Sequence, residues 1–293
     1  MYRGRFAPSP TGPLHFGSLV AAVGSHVCAR AQAGVWLIRM EDLDPPREVP
    51  GAARDILATL AAFDLVSDEP VVFQSEREAA YRTAFEQLRR HAEIFPCWCS
   101  RADLELQGGL HSGACVATPD PARTPAWRVR APDRHIEFDD LLQGPQAQHL
   151  AREAGDFVIR RVEGWYAYQL AVVVDDAEAG ITEIVRGSDL LESTPRQIYL
   201  QQLLGLPTPA YLHLPLALDA QGRKLSKSDA ARPVDPRDPL PALRAALAFL
   251  GMSLAAREFA SRPQTLLAFA AQHFDLAELR RIASRAPQAI SKD

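Results

Sequence analysis

The sequence predicts an α/β fold built on a doubly wound parallel sheet, with a cysteine-bearing insertion and a short helical extension at the C-terminal end. Three observations lead there. Short β-branched or aromatic runs alternate with helix-like runs over most of the 293 residues, the order expected when each strand feeds a crossover helix. The alternation breaks from about Phe95 to Leu150, where Cys, Pro and Gly gather, and then resumes. Beyond Pro239 the chain is rich in Ala and Leu and carries no strand-like run.

Taken in order, Tyr2 to Phe6 reads as a first strand and Gly17 to Ala33 as a helix rich in Ala, Val and Leu. "GVWLIRMED" (Gly34 to Asp42) has the composition of a buried strand. A helix follows from about Gly51 to Phe63, and another from about Ser75 to Ala92, where Tyr81, Phe85 and Leu88 share one face. After the insertion the grammar returns with "DFVIRR" (Asp156 to Arg161), "YQLAVVVDD" (Tyr168 to Asp176) and "ITEIVRG" (Ile181 to Gly187). A helix from about Thr194 to Leu204 comes next, then "AYLHLPLAL" (Ala210 to Leu218), which runs into "GRKLSKSD". The expected units are residues 1–94 and 151–238 as halves of a nucleotide-binding domain, 95–150 as the insertion, and 239–293 as a helical segment.

At 47% hydrophobic, the chain has enough apolar residues for real cores. It shows neither a run of eighteen apolar residues nor a basic-then-apolar secretory start, so a cytoplasmic location is expected. A net charge of −4 gives no global attraction to nucleic acid, and any RNA partner must meet a local basic face. Arg128, Arg130 and Arg134, the pair Arg160 and Arg161, and Arg223, Lys224 and Lys227 are groupings of that kind. Solvated surface charge explains such groupings equally well.

Three stretches carry chemistry. In "RFAPSPTGPLHFGSL" (Arg5 to Leu19) a strand ends in Pro and Gly and leads into a helix, which presents backbone N–H groups to a phosphate. Gly17 permits close approach, His15 is a donor beside the same phosphates, and Ser18 either caps the helix or meets the nucleotide. Ordinary loop punctuation is the competing reading. In "KLSKS" (Lys224 to Ser228), two lysines around Ser226 make a flexible cationic clamp for a triphosphate. In the insertion, "PCWCS" supplies Cys97 and Cys99 and "LHSGAC" supplies His111 and Cys115. That C-x-C and H-x₃-C spacing suits a closed, structural tetrahedral zinc site, against the alternative of unrelated small buried residues. Cys28 lies on an apolar helix and reads as core.

"PLHFGS" and "KLSKS" resemble the HIGH and KMSKS motifs of class I aminoacyl-tRNA synthetases, whose fold is a split Rossmann-like sheet. "RFAPSPTG" followed by "LIRMEDLD" narrows the resemblance to the glutamyl branch, over about Gly4 to Ser228. The resemblance implies that Arg5, Phe6, Ala7, Pro8, Ser9, Glu41, Tyr168 and Arg186 bind glutamate. It implies that His15, Gly17, Ser18, Lys224, Ser226 and Lys227 bind ATP with its Mg²⁺, and that His15 and Lys227 are the catalytic side chains. A guanidinium for a carboxylate and a carboxylate for an ammonium agree with the physics. The reaction implied is adenylation: the glutamate carboxylate attacks the α-phosphorus of ATP, pyrophosphate leaves, and the glutamyl group passes to an RNA hydroxyl.

Within that branch, "LVAAVGSHVCARA" resembles the short paralogues that load glutamate onto queuosine in the anticodon loop of tRNA(Asp). Those paralogues hold zinc through C-x-C, a tyrosine and a further cysteine, and His111 stands here where the tyrosine is expected. The stretch from Ser228 to Asp293 leaves no room for a large anticodon-reading domain, so this acceptor is expected, with the chain acting as a monomer. The alternatives are a minimal synthetase charging the 3′ end of tRNA(Glu) and a catalytically silent tRNA-binding paralogue. A nucleotidyltransferase of small metabolites would leave "RFAPS" and "MEDLD" unexplained.

Overall fold

The computed structural model describes residues 1–91, 93–106, 108–216, 233–252 and 261–283. Strand β1 (Arg3–Phe6) leads into helix α1 (Phe16–Ala31), strand β2 (Val35–Met40), helix α2 (Ala52–Ala62), strand β3 (Val72–Phe73) and helix α3 (Glu78–Arg90). The middle of the chain holds β4 (Ile94–Cys97), α4 (Arg101–Glu105), β5 (Ala126–Val129), β6 (His135–Asp140), β7 (Gly144–His149), α5 (Leu150–Glu153) and β8 (Phe157–Arg160). Then come α6 (Tyr168–Glu178), β9 (Glu183–Gly187), α7 (Thr194–Leu204) and β10 (Ala210–Leu214), and finally α8 (Pro239–Phe249), α9 (Pro263–Gln272) and α10 (Leu276–Ala283).

β1, β2 and β3 pair in parallel, as do β9 and β10, with β6 beside β10. The two parallel groups meet at β1 and β9, where the Thr182 N–H donates to the Arg3 carbonyl at 2.9 Å. Successive crossovers therefore run outward in both directions from β1 and β9. In such a sheet, ligands bind in the crevice at the carboxyl ends of the strands where the order reverses.

Both faces of the sheet are covered, and the period of two along each strand sorts residues between two cores. Phe6, Trp36, Ile38, Met40, Val185, Leu212 and Leu214 pack with α1, α8 and α9. Leu37, Ile184 and Tyr211 pack with α3, α6 and α7. Alternation places Arg5, Arg39, Arg186 and His213 on the α6 face, deep in an interior that ordinarily excludes charge.

"YQLAVVVDD", whose element the sequence left open, is the crossover helix α6, so Tyr168 begins a helix. Its continuous apolar run suits a helix buried between the sheet and α7, which periodicity alone does not separate from a buried strand. Within the cysteine-bearing stretch, the β6–β7 hairpin extends the sheet of β9 and β10, while β8 pairs with β5 and β4 in a separate antiparallel sheet. Among the described residues, no helix is long and apolar enough to cross a membrane.

Candidate active site and metal centre

A cavity of about 940 Å³ opens at the β1/β9 switch point. Arg5, Phe6, Ala7, Pro8, Ser9, His15, Gly17, Ser18, Glu41, Tyr168 and Arg186 all line it. The prolyl loop after β1 is tied down on its far side: the N–H of Glu41 donates to the Pro8 carbonyl at 2.9 Å and that of Val49 to the Pro10 carbonyl at 2.9 Å. A loop so fixed faces the strand ends with one edge and the start of α1 with the other.

At the start of α1, the cap that was one of the two readings for Ser18 is made by His15. His15 occupies the N-cap, its Nδ1 accepts from the Ser18 N–H at 3.2 Å, and its Nε2 lies 3.0 Å from the Ser18 hydroxyl. Ser18 is therefore the capped residue. Gly17 keeps space for this ring, because a Cβ there would sit 3.3 Å from His15 Cε1 and Nδ1. No acidic side chain occupies the first turn, so the positive end of the helix dipole faces the cavity undiminished.

Deeper in, a buried ionic network holds the strand arginines. Asp176, on α6, accepts from Arg5 Nε at 2.9 Å and Nη2 at 3.1 Å, and from Arg39 Nη1 at 2.6 Å. Arg5 and Asp176 are each 4% exposed. The neighbouring Asp175 accepts from Arg77, Gln74 and Tyr81 at 2.6, 2.7 and 2.9 Å. Two carboxylates near the C-terminal end of a helix oppose its dipole, and the three guanidinium groups offset that. Burial alone would raise the Asp176 pKa, but Arg39 and Arg5 hold it down at about 2. Asp176 thereby fixes one edge of the Arg5 fork and leaves Nη1 outside it.

Glu41 receives Arg39 Nη2 at 3.2 Å. Burial nonetheless raises its pKa above the usual carboxylate range, with Arg39 and Arg5 opposing the shift. A buried carboxylate in that condition gains from a ligand cation. Across the cavity, Arg186 Nη1 donates to the Tyr168 hydroxyl at 3.4 Å and Nη2 to the Thr194 hydroxyl at 2.8 Å. Its Nε donates to His213 Nε2 at 3.0 Å, and His213 Nδ1 lies 2.6 Å from Asp140 Oδ2.

Reading the sequence missed Asp176, Arg39, His213 and Asp140. A signal was present: "VWLIRM", "AVVVDD" and "YLHLPL" each place a polar residue inside an apolar element, and such a residue requires a buried partner. Lys224, Ser226 and Lys227 lie outside the described residues. The described residues nearest to them, Leu216 and Pro233, border the site: Leu216 lines the cavity and Pro233 pairs with His15. The basic groupings divide. Arg161 lines the cavity and meets Asp44 at 3.2 Å, whereas Arg160 packs over Phe85 and Tyr166.

Cys97, Cys99, His111 and Cys115 converge away from the cavity lining, with one ligand atom from each inside a span of 4.8 Å. Zinc bound at about 2.3 Å to sulfur spaces tetrahedral ligands about 3.8 Å apart, so the set fits the ion. His111 Nδ1 meets Asp156 Oδ2 at 2.8 Å, which turns Nε2 toward Cys115 Sγ, 3.4 Å away. That carboxylate–histidine pairing is the usual outer support of a zinc ligand. Arg128 Nε donates to Cys97 Sγ at 3.3 Å, where it offsets thiolate charge. Burial first, and then the neighbouring thiols, push Cys115 up to about 12, a crowding that a divalent cation relieves. Gly155, at φ +65°, lets the backbone pass close to His111, since a Cβ would stand 2.6 Å from the His111 carbonyl oxygen.

A family model described as tRNA synthetases class I (E and Q), catalytic domain, matches residues 1–123 and 120–278. A glutamyl-Q tRNA(Asp) synthetase from Xanthomonas campestris pv. campestris is 56% identical over 283 residues, covering 97% of this chain and 95% of the relative. One from Burkholderia cenocepacia is 56% identical over 264 residues, covering 86% of this chain and 89% of the relative. Among solved structures, a glutamate tRNA ligase from Elizabethkingia meningosepticum in complex with its amino acid has a TM-score of 0.78 at 25% identity. It covers 94% of this chain, which spans 65% of that one. A glutamate-tRNA synthetase from Elizabethkingia anophelis has a TM-score of 0.79 at 25% identity, and this chain spans 66% of it.

Proposed function

The chain belongs to the catalytic-domain family of the class I tRNA synthetases for E and Q, and from that premise we propose that it activates L-glutamate with ATP and esterifies queuosine in the anticodon loop of tRNA(Asp). The observation that carries the reading is the meeting, in one cavity, of Arg5, Arg186 and Glu41 with the capped start of α1. Two guanidinium groups and one carboxylate complement an amino acid with two carboxylates and one ammonium. The start of α1 suits a phosphate chain. The relatives at 56% identity bear the name of the queuosine-directed enzyme, which supports the acceptor.

Arg5 and Ser9 hold the side-chain carboxylate of glutamate, with Phe6, Ala7 and Pro8 forming the wall beside it. Glu41 meets the ammonium, and Tyr168 and Arg186 close the far side. An α-carboxylate oxygen attacks the α-phosphorus and pyrophosphate departs; a queuosine hydroxyl then attacks the acyl carbon and AMP departs. His15, Gly17 and Ser18 border the phosphates, Mg²⁺ travels with ATP, and Lys224, Ser226 and Lys227 follow the migrating charge. Leu216 and Pro233 at the cavity support that placement of the lysines. Catalysis is then positioning and charge stabilisation, with no protein nucleophile. Cys97, Cys99, His111 and Cys115 hold a structural zinc, which when bound ties the segments of the insertion together. Every group named comes from one chain, which supports a monomer, and ATP and tRNA are encountered together in the cytoplasm.

The test is transfer of labelled glutamate, with ATP, to queuosine-containing tRNA(Asp), to the same tRNA with guanosine at that position, and to tRNA(Glu). Label on the first alone is expected. Label on tRNA(Glu) alone, as a periodate-sensitive 3′ ester, overturns the acceptor assignment.

A further inference from the structure

Behind Arg186 stands a chain of buried polar partners. His213 stands directly opposite Arg186 in the parallel register of β10 on β9, and its side chain is 0% exposed. Its Nε2 accepts from Arg186 Nε at 3.0 Å, so the ring proton must be on Nδ1, which faces Asp140 Oδ2 at 2.6 Å. Asp140, at the end of β6, also accepts from the N–H groups of Leu142 and Gln143 at 3.0 and 2.8 Å and from the His213 N–H at 3.1 Å. Oδ1 is thus held by the backbone of the turn after β6, and Oδ2 is held at His213. The Thr194 hydroxyl completes the arrangement, taking Arg186 Nη2 at 2.8 Å and lying 3.2 Å from His213 Nε2.

We propose that Asp140 and His213 act as a positioning relay: Asp140 holds His213 as the Nδ1–H tautomer, and the free Nε2 lone pair orients Arg186 toward its substrate carboxylate. Neither residue lines the cavity, so both act through Arg186. The logic is that of a histidine whose one nitrogen is fixed by a carboxylate so that the other performs a directed task.

Every charged group near the ring favours the neutral form or is needed to fix it. Burial and the Arg186 and Arg5 guanidinium groups lower the His213 pKa, and the Asp140 carboxylate opposes them without prevailing. A cationic ring would turn an N–H against Arg186 and break the contact. Burial would raise the Asp140 pKa, but the bonds from His213, Gln143 and Leu142 keep it below the usual carboxylate range.

The relay rests on the reading of the cavity as a glutamate site, and two measurements separate them. The first is glutamate-dependent ATP–pyrophosphate exchange by the full chain and two variants. His213→Gln keeps an acceptor near Nε2, while His213→Asn keeps only the donor to Asp140. The expected result is a rise of about tenfold or more in KM for glutamate in His213→Asn, a smaller one in His213→Gln, and KM for ATP within about twofold in both. Equal changes for both substrates, or none, overturn the relay.

The second measurement needs no variant. The ¹⁵N shifts of the His213 ring in the wild-type protein should report a protonated Nδ1 and a bare Nε2, unchanged from about pH 6 to about pH 8. An Nε2–H tautomer, or titration in that range, overturns the relay even if exchange is normal. Absence of wild-type exchange overturns the glutamate reading instead.

Discussion

Replacing Asp176 with Asn removes one charge and almost no volume from the centre of the buried network. In the native protein this carboxylate neutralises Arg5 at 2.9 and 3.1 Å and Arg39 at 2.6 Å, all three groups almost wholly buried. An amide leaves two guanidinium groups with Glu41 and Asp175 as their remaining acidic neighbours. Breaking a buried pair from one side costs about 3–5 kcal/mol, and that loss is expected at neutral pH. The depressed pKa provides an independent magnitude. A shift from 3.8 to about 2 corresponds to roughly 2 kcal/mol of stabilisation.

Because the folded pKa lies below the unfolded one, that stabilisation is complete above about pH 5 and disappears as pH falls toward 2. The stability gap between wild type and Asp176→Asn, measured by urea unfolding, should therefore narrow by about 1 kcal/mol at pH 3 and about 2 kcal/mol at pH 2. Released from its fork, Arg5 should also bind glutamate poorly, raising KM for glutamate well above any change for ATP. A gap below about 1 kcal/mol at pH 7, or one that does not depend on pH, would refute the claim that Asp176 is the charged hub.

Three further outcomes follow from the same geometry. Arg5→Ala should raise the glutamate requirement in pyrophosphate exchange by about tenfold or more while leaving ATP nearly unaffected; parallel changes would contradict its assignment to the amino acid. Glu41 has a raised pKa, so acidification through that value converts it to the neutral acid and weakens its hold on an ammonium. The glutamate KM should rise on that descent, and Glu41→Gln should lack the Glu41 portion of the rise when the two pH profiles are compared. Asp156→Asn should weaken zinc binding by about 10–100-fold in competition with a chromophoric chelator, with glutamate activation reduced far less; unchanged affinity would remove Asp156 from the metal's support.

The opening loop was legible for local reasons. Pro and Gly between a strand and a helix, followed by a histidine and a glycine, define a backbone shape that needs no distant partner, and Arg5, Ser9, His15 and Ser18 line one cavity. The four metal-centre residues were legible because ligand chemistry restricts residue type and spacing so narrowly. Tyr168 was recognised while its element was less plain, because a run such as "LAVVVDD" is compatible with either buried state until its neighbours are known.

By itself, then, the sequence determined the alternating α/β order, the loop that lines the cavity and the Cys97, Cys99, His111 and Cys115 set, all of which depend on residues close together along the chain. Only the tertiary structure decided which buried charges neutralise one another. Arg5 and Arg39 meet Asp176 across more than a hundred residues, and Arg186 meets Asp140 through His213 from three separate strands. A lone polar residue in an apolar run announces that it needs a partner. Which partner is set by strand order, parallel register and the crossover helix laid over the sheet, none of which any local stretch of sequence contains.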